Sequence, residues 1–137
     1  MPKFYNKMKK AIILAVAMVS LSLTSCSKSP EKVLPKKDGK WNVAGTVTNS
    51  TFAISLPVTG NITFNDDKSF ASTLSISGFG SESSKGTWSA TKETVTTISN
   101  GTTVIYTVVE AKTKSEKWEN VSTKNGTTVT TKLDLTK

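Results

Sequence analysis

Few side chains in this 137-residue sequence have types and spacings suited to chemistry. There is no histidine, so the commonest general base and metal ligand is missing. Cys26 is the one thiol and has no partner for an intrachain disulfide. A Ser-x-x-Lys spacing follows it, Ser29 to Lys32, but it lies beside Pro30 in a charged stretch, without the helix and pocket that a Ser–Lys pair needs. Asp66 and Asp67 are adjacent, as suits the hydrogen bonding of a turn, whereas a cooperating acid and base require a controlled separation across a cleft. Glu110, Glu116 and Glu119 flank a lysine-rich connection and read as a solvated rim. These residues point to no catalytic group, no metal site and no cofactor, and the chain is expected not to be an enzyme.

What surrounds Cys26 is more informative. Lys3, Lys7, Lys9 and Lys10 precede an apolar run from Ala11 to Leu23, the pattern of a secretory signal. At 13 residues that run falls short of the ~20 a membrane-spanning helix needs, so a signal-peptide helix over residues 1–25 is expected. The run ends in Leu23-Thr24-Ser25-Cys26, which resembles the lipobox of bacterial prolipoproteins. The resemblance implies cleavage before Cys26, a diacylglycerol thioether on its sulfur and acylation of the new amino terminus. Two or more acyl chains, at roughly 0.8 kcal/mol per buried methylene, hold a protein on a membrane without a spanning helix. Ser27 stands where an Asp would signal inner-membrane retention, so the implied address is the outer membrane. No acidic run follows in Ser27 to Pro30, which favours the periplasmic leaflet, with display on the cell surface left open.

Residues 26–40 are expected to be a lipidated Cys and a flexible tether, since Pro30, Pro35 and dense charge argue for an extended segment. Fourteen residues from Ser27 to Lys40 would stretch to about 46 Å. The five lysines of this segment would either lean on anionic headgroups or simply be solvated. The net charge of +8 divides into +4 for residues 1–26, +3 for 27–40 and +1 for 41–137. The folded part is therefore nearly neutral. With no arginine anywhere and no clustering of lysine with aromatic residues, nucleic acid is not an expected partner.

From Trp41 onward, 34 of 97 residues are Thr or Ser, an excess that suits the outward faces of strands. Short alternating runs predict strands near 41–48, 52–56, 60–65, 69–77, 86–91, 94–98, 102–110, 115–121 and 127–135. Tight connections at Asn65 to Lys68, Thr91 to Glu93, Asn100-Gly101 and Asn125-Gly126 favour pairing of consecutive strands. The segment Asn-Gly-Thr-Thr-Val occurs at 100–104 and again at 125–129, as expected of one hairpin solution used twice. An all-β fold follows, a single domain over 41–137 forming a small antiparallel up-and-down β-barrel, because closure removes exposed edges. A two-sheet β-sandwich is the alternative, if the link from Ser77 to Gly86 crosses between sheets.

Gly39-Lys40-Trp41, the run from Gly60 to Phe70 and then Gly86-Thr87-Trp88 together resemble the short lipocalin-like domains of bacterial lipoproteins. In the wider calycin group the first such Trp plugs the closed end of the barrel, and larger relatives carry ligands. The likeness is to the short bacterial group. The classical one has an Arg near its last strand, and this chain has no Arg.

Phe64, Phe70, Leu74, Trp88, Tyr106 and Trp118 are the candidate lining of a ligand pocket, all expected to face the interior. Two readings stay open, because a barrel of this size is just wide enough for side chains or for one small ligand. In the first, a lipid-anchored envelope protein takes a small hydrophobic molecule into its mouth. In the second, a filled barrel is an envelope interaction or scaffolding protein. The strand at 104–109 is apolar on both faces, which an isolated barrel strand should not be. Ile105 and Val109 are thus expected to be covered by the tether, by a partner protein or by a second copy.

Overall fold

The computed structural model describes residues 29–137, so the expected signal-peptide helix over residues 1–25 and Cys26 lie outside the described residues. A helical turn, α1 (Pro30–Val33), precedes eight strands: β1 (Lys40–Asn49), β2 (Ile54–Phe64), β3 (Ser69–Ile76), β4 (Gly80–Ala90), β5 (Thr94–Ser99), β6 (Thr102–Ala111), β7 (Ser115–Lys124) and β8 (Thr127–Thr136). Each is antiparallel to its predecessor. The last returns to the first, with Val43 opposite Leu135 and Val47 opposite Thr131, so the sheet is a closed barrel without a free edge. The sandwich alternative is set aside, because Ser77 to Phe79 is a short turn between neighbouring strands rather than a crossing between sheets.

Two expected strands, 52–56 and 60–65, prove to be one. β2 runs straight through Pro57, a residue that normally interrupts a ladder because it has no N–H to give. The Pro57 carbonyl accepts the Ser77 N–H at 3.1 Å, and a strand residue's two polar groups point the same way. Its missing donor therefore faces the end of β3, where pairing has already finished. At the Asn-Gly turns, Asn100 and Gly101 both have positive φ, as do Asn125 and Gly126, which is the primed geometry that matches the twist of paired strands.

Neighbouring strands are not stitched along their whole lengths. β4 meets β5 only from Thr87 to Ala90, opposite Val95 to Ile98. β6 meets β7 near one end, Thr107 opposite Glu119 through Ala111 opposite Glu116, with a bulge between Val108 and Glu110. Beside the first seam, at Gly86, the backbone is closely approached. A Cβ there would sit 1.8 Å from the Ile98 carbonyl oxygen and 3.1 Å from the Phe70 ring.

The chain before the barrel differs from the extended tether expected of it. Pro30 opens α1 at a position where no N–H is needed, and the Leu34 N–H closes the turn on the Pro30 carbonyl at 2.9 Å. One turn cannot hold itself together in water. It is held because Pro30, Val33 and Leu34 are buried in the barrel end, Leu34 completely, in one cluster with Trp41, Phe64 and Leu135. Burying a leucine fully is worth about 1.5–3 kcal/mol. This end of the barrel is therefore plugged, and Pro30 to Leu34 pack as part of the fold.

Candidate functional site

Three indoles build the floor of the barrel, and each has its N–H satisfied at the plugged end. Trp41 donates to the Leu34 carbonyl at 2.9 Å, Trp88 to the Asn65 carbonyl at 3.1 Å, and Trp118 to Oε1 of Glu116 at 2.9 Å. Phe64 stands between two of them, edge to face with Trp88 at 5.3 Å and with Trp118 at 5.8 Å. Lysines close the outside: the Lys68 ammonium lies 4.3 Å from the Trp88 ring and that of Lys137 lies 4.7 Å from Trp41. Lys68 also pairs with Glu31 at 3.1 Å, tying the plug to the turn between β2 and β3. In that turn Asp67 accepts the Ser69 N–H at 2.9 Å and the Ser69 hydroxyl at 2.5 Å. Those bonds hold its carboxyl below the usual range, so the Asp66–Asp67 pair sits in the turn its sequence implies.

Glu116 overturns the expectation of a solvated rim. It is 1% exposed, and its Oε2 has no hydrogen-bond partner. Burial pushes its carboxyl up to about 7, against the opposing pulls of the Trp118 N–H and the Lys137 charge. Glu110, by contrast, stays at the surface and pairs with Lys112 at 2.5 Å.

Toward the opposite end the interior is not filled. A cavity of about 420 Å³ lies inside β3 to β6, and an adjoining space of about 260 Å³ reaches across to Val47, Val58 and Leu133. Leu74, Glu82 and Tyr106 line both. The walls differ in chemistry. Ile62, Phe70, Leu74 and Val104 offer carbon, whereas Ser72, Ser84, Thr97, Ser99 and Thr102 offer hydroxyls. Burial raises the Tyr106 phenol above its ordinary value, so it remains a neutral hydrogen-bond donor at physiological pH. Glu82 is the one carboxylate on the cavity wall.

The six candidate lining residues divide by height. Phe70, Leu74 and Tyr106 line the cavity, while Phe64, Trp88 and Trp118 are packed into the floor beneath it. Tyr106 joins the two levels, its ring 5.4 Å from that of Trp118. The polar lining was missed, although a signal for it exists. Counting back in steps of two from Trp88 reaches Gly86, Ser84 and Glu82, and counting forward from Val95 reaches Thr97 and Ser99.

On the outer wall Ile105 is 54% exposed and Val109 63%, so the segment Pro30 to Leu34 does not cover them. An eight-stranded antiparallel meander closed into a barrel agrees with the architecture of lipocalin-like domains. No protein-family model, curated protein or solved structure matches this chain.

Proposed function

We propose that this chain is a lipid-anchored protein of the bacterial cell envelope, lipocalin-like in form, whose barrel takes a small and largely apolar molecule into its open end. One observation carries the ligand reading: a cavity of about 420 Å³ lies inside the barrel and reaches the rim at Ser99, Asn100 and Thr102, the end away from the plug. Pockets for small molecules fall in the range of about 300–1,000 Å³, with mostly apolar walls and a few placed polar groups. The hydroxyls of Ser84, Thr97 and Ser99 on β4 and β5, beside Phe70 and Leu74 on β3, suit a molecule that has both apolar carbon and a hydrogen-bonding edge. The anchor reading rests on the basic and apolar run before Cys26 and on the lipobox it resembles. Native mass spectrometry of the protein recovered from a bacterial envelope tests the ligand. A bound small molecule that disappears in Leu74→Trp is the expected result, and a clean apo mass for the unaltered chain removes this reading.

A second reading is favoured by a different observation. Ile105, Val109 and Val121 are each more than half exposed on the outer wall, at 54%, 63% and 57%. Such a face suits an envelope partner or a second copy of this chain. If Ile105→Lys with Val109→Lys leaves stability, sedimentation and the set of crosslinked envelope proteins unchanged, that reading fails.

A further inference from the structure

Charge is divided unequally between the two ends of the barrel. The four turns at the open end, residues 50–53, 77–79, 100–101 and 125–126, contain no charged residue. At the plugged end Lys36, Lys37, Lys112, Lys114 and Lys137 converge from three separate pieces of chain. The Lys137 N–H bonds the Lys114 carbonyl at 3.0 Å, and its ammonium bonds the Lys36 carbonyl. Lys36, Lys37, Lys112 and Lys114 are exposed. The acids offset them only in part: Asp38 is exposed, Glu110 neutralises Lys112, Glu116 is buried beneath, and Asp66, Asp67 and Glu93 lie in the other two turns of this end beside Lys68 and Lys92.

Chain length then fixes which end can approach a membrane. Pro30 is buried in the plug, and only Ser27, Lys28 and Ser29 separate it from Cys26. Four steps of 3.8 Å between Cα atoms reach about 15 Å at most. A ten-residue strand spans about 33 Å, or roughly 25 Å along the axis of a barrel with tilted strands. The mouth therefore cannot face down onto the surface that holds Cys26 while the plug stays in place.

We infer that the lysine-bearing plugged end is a membrane-docking surface, which lies on anionic headgroups beside the anchor and turns the cavity mouth away from the bilayer. This rests on the reading of Cys26 as the anchor. The partner is a bilayer rich in anionic lipid, whose field decays within a Debye length of about 8 Å at physiological salt. The short linker keeps the lysines close to that range.

Cys26 is the only thiol, so the chain from Cys26 to Lys137 can be coupled to a maleimide lipid in vesicles, which fixes the anchor chemically. All three tryptophans lie at the plugged end, so energy transfer from indole to a dansyl-labelled lipid reads the height of that end directly. In phosphatidylcholine vesicles containing phosphatidylglycerol, transfer is expected to exceed by about twofold that of the variant Lys36→Gln, Lys37→Gln, Lys112→Gln, Lys114→Gln. The unaltered chain should drop to the variant's level in phosphatidylcholine alone. Equal transfer in the two lipids, or for the two proteins, overturns the docking surface. The intact mass of the chain recovered from cells tests the anchor separately. An acylated Cys26 supports both readings, whereas an unmodified one overturns the anchor and the orientation with it, even where the vesicles show the lysines binding.

Discussion

Trp118 donates its indole N–H to Glu116 Oε1 at 2.9 Å inside the plugged end, with each side chain only 1% exposed. A carboxyl rarely occupies such a place. Burial raises it from 4.5 to about 7, so between those values the folded chain holds a proton that the unfolded chain has lost. Stability therefore falls as pH rises through this window and levels off above it, by a total of about 3 kcal/mol. Glu116→Gln keeps an oxygen for Trp118 and cannot ionise. Urea midpoints measured from pH 4 to 8 should decline for the unaltered chain and stay flat for the variant.

Leu34 is the side chain that seats the plug, and its carbonyl is the partner of Trp41. Leu34→Ala should cost about 2–5 kcal/mol through lost burial and the cavity left behind. Trp41→Phe keeps most of the ring but orphans that carbonyl, for a smaller loss of about 1–3 kcal/mol. Equilibrium urea unfolding separates the two.

Gly86 and Gly101 should both lose stability on substitution by alanine, but to different extents and for different reasons. At Gly86 the added methyl would overlap the Ile98 carbonyl oxygen at 1.8 Å, so Gly86→Ala is expected to destabilise by about 3 kcal/mol or more. At Gly101 a Cβ meets nothing within 4 Å, and the cost comes only from its φ of 76°, about 1 kcal/mol. Thermal unfolding followed by circular dichroism ranks them.

The Tyr106 hydroxyl is the cavity donor that can be removed with the least change of shape. Tyr106→Phe should weaken small-molecule binding up to about tenfold, the worth of one hydrogen bond, while altering stability little. Titration of the purified chain with the molecule found in the native mass measurement reads this effect.

Barrel closure was legible because turns such as Asn100-Gly101 leave consecutive strands no choice but to pair, and a meander of that length has edges to hide. The inward direction of Phe64, Trp88 and Trp118 was equally plain from alternation. Their height was not, because the level of a residue along the barrel depends on register with strands distant in sequence. Leu34 escaped notice for a related reason: five residues carry no period, and only the packed barrel end makes a helical turn of them. Glu116 was hidden by the lysines around it. Its position two residues before Trp118 put it on the inner face, a signal that residue type obscured.

The two partial seams, β4 with β5 and β6 with β7, bound a single hairpin, β5 and β6, whose turn lies at the open rim. The backbone ladders that join that hairpin to its neighbours lie near the floor, where Trp88 and Trp118 anchor the adjoining strands; above them side chains bridge the gaps, Ser99 Oγ donating to the Lys85 carbonyl at 2.7 Å and Asn120 Nδ2 to the Ile105 carbonyl at 2.8 Å. It is built as a door leaf hung from its lower edge. Amide protons along its upper half, which lack a ladder partner on the outer side, should exchange with solvent before those near the floor, as hydrogen exchange followed by mass spectrometry would read.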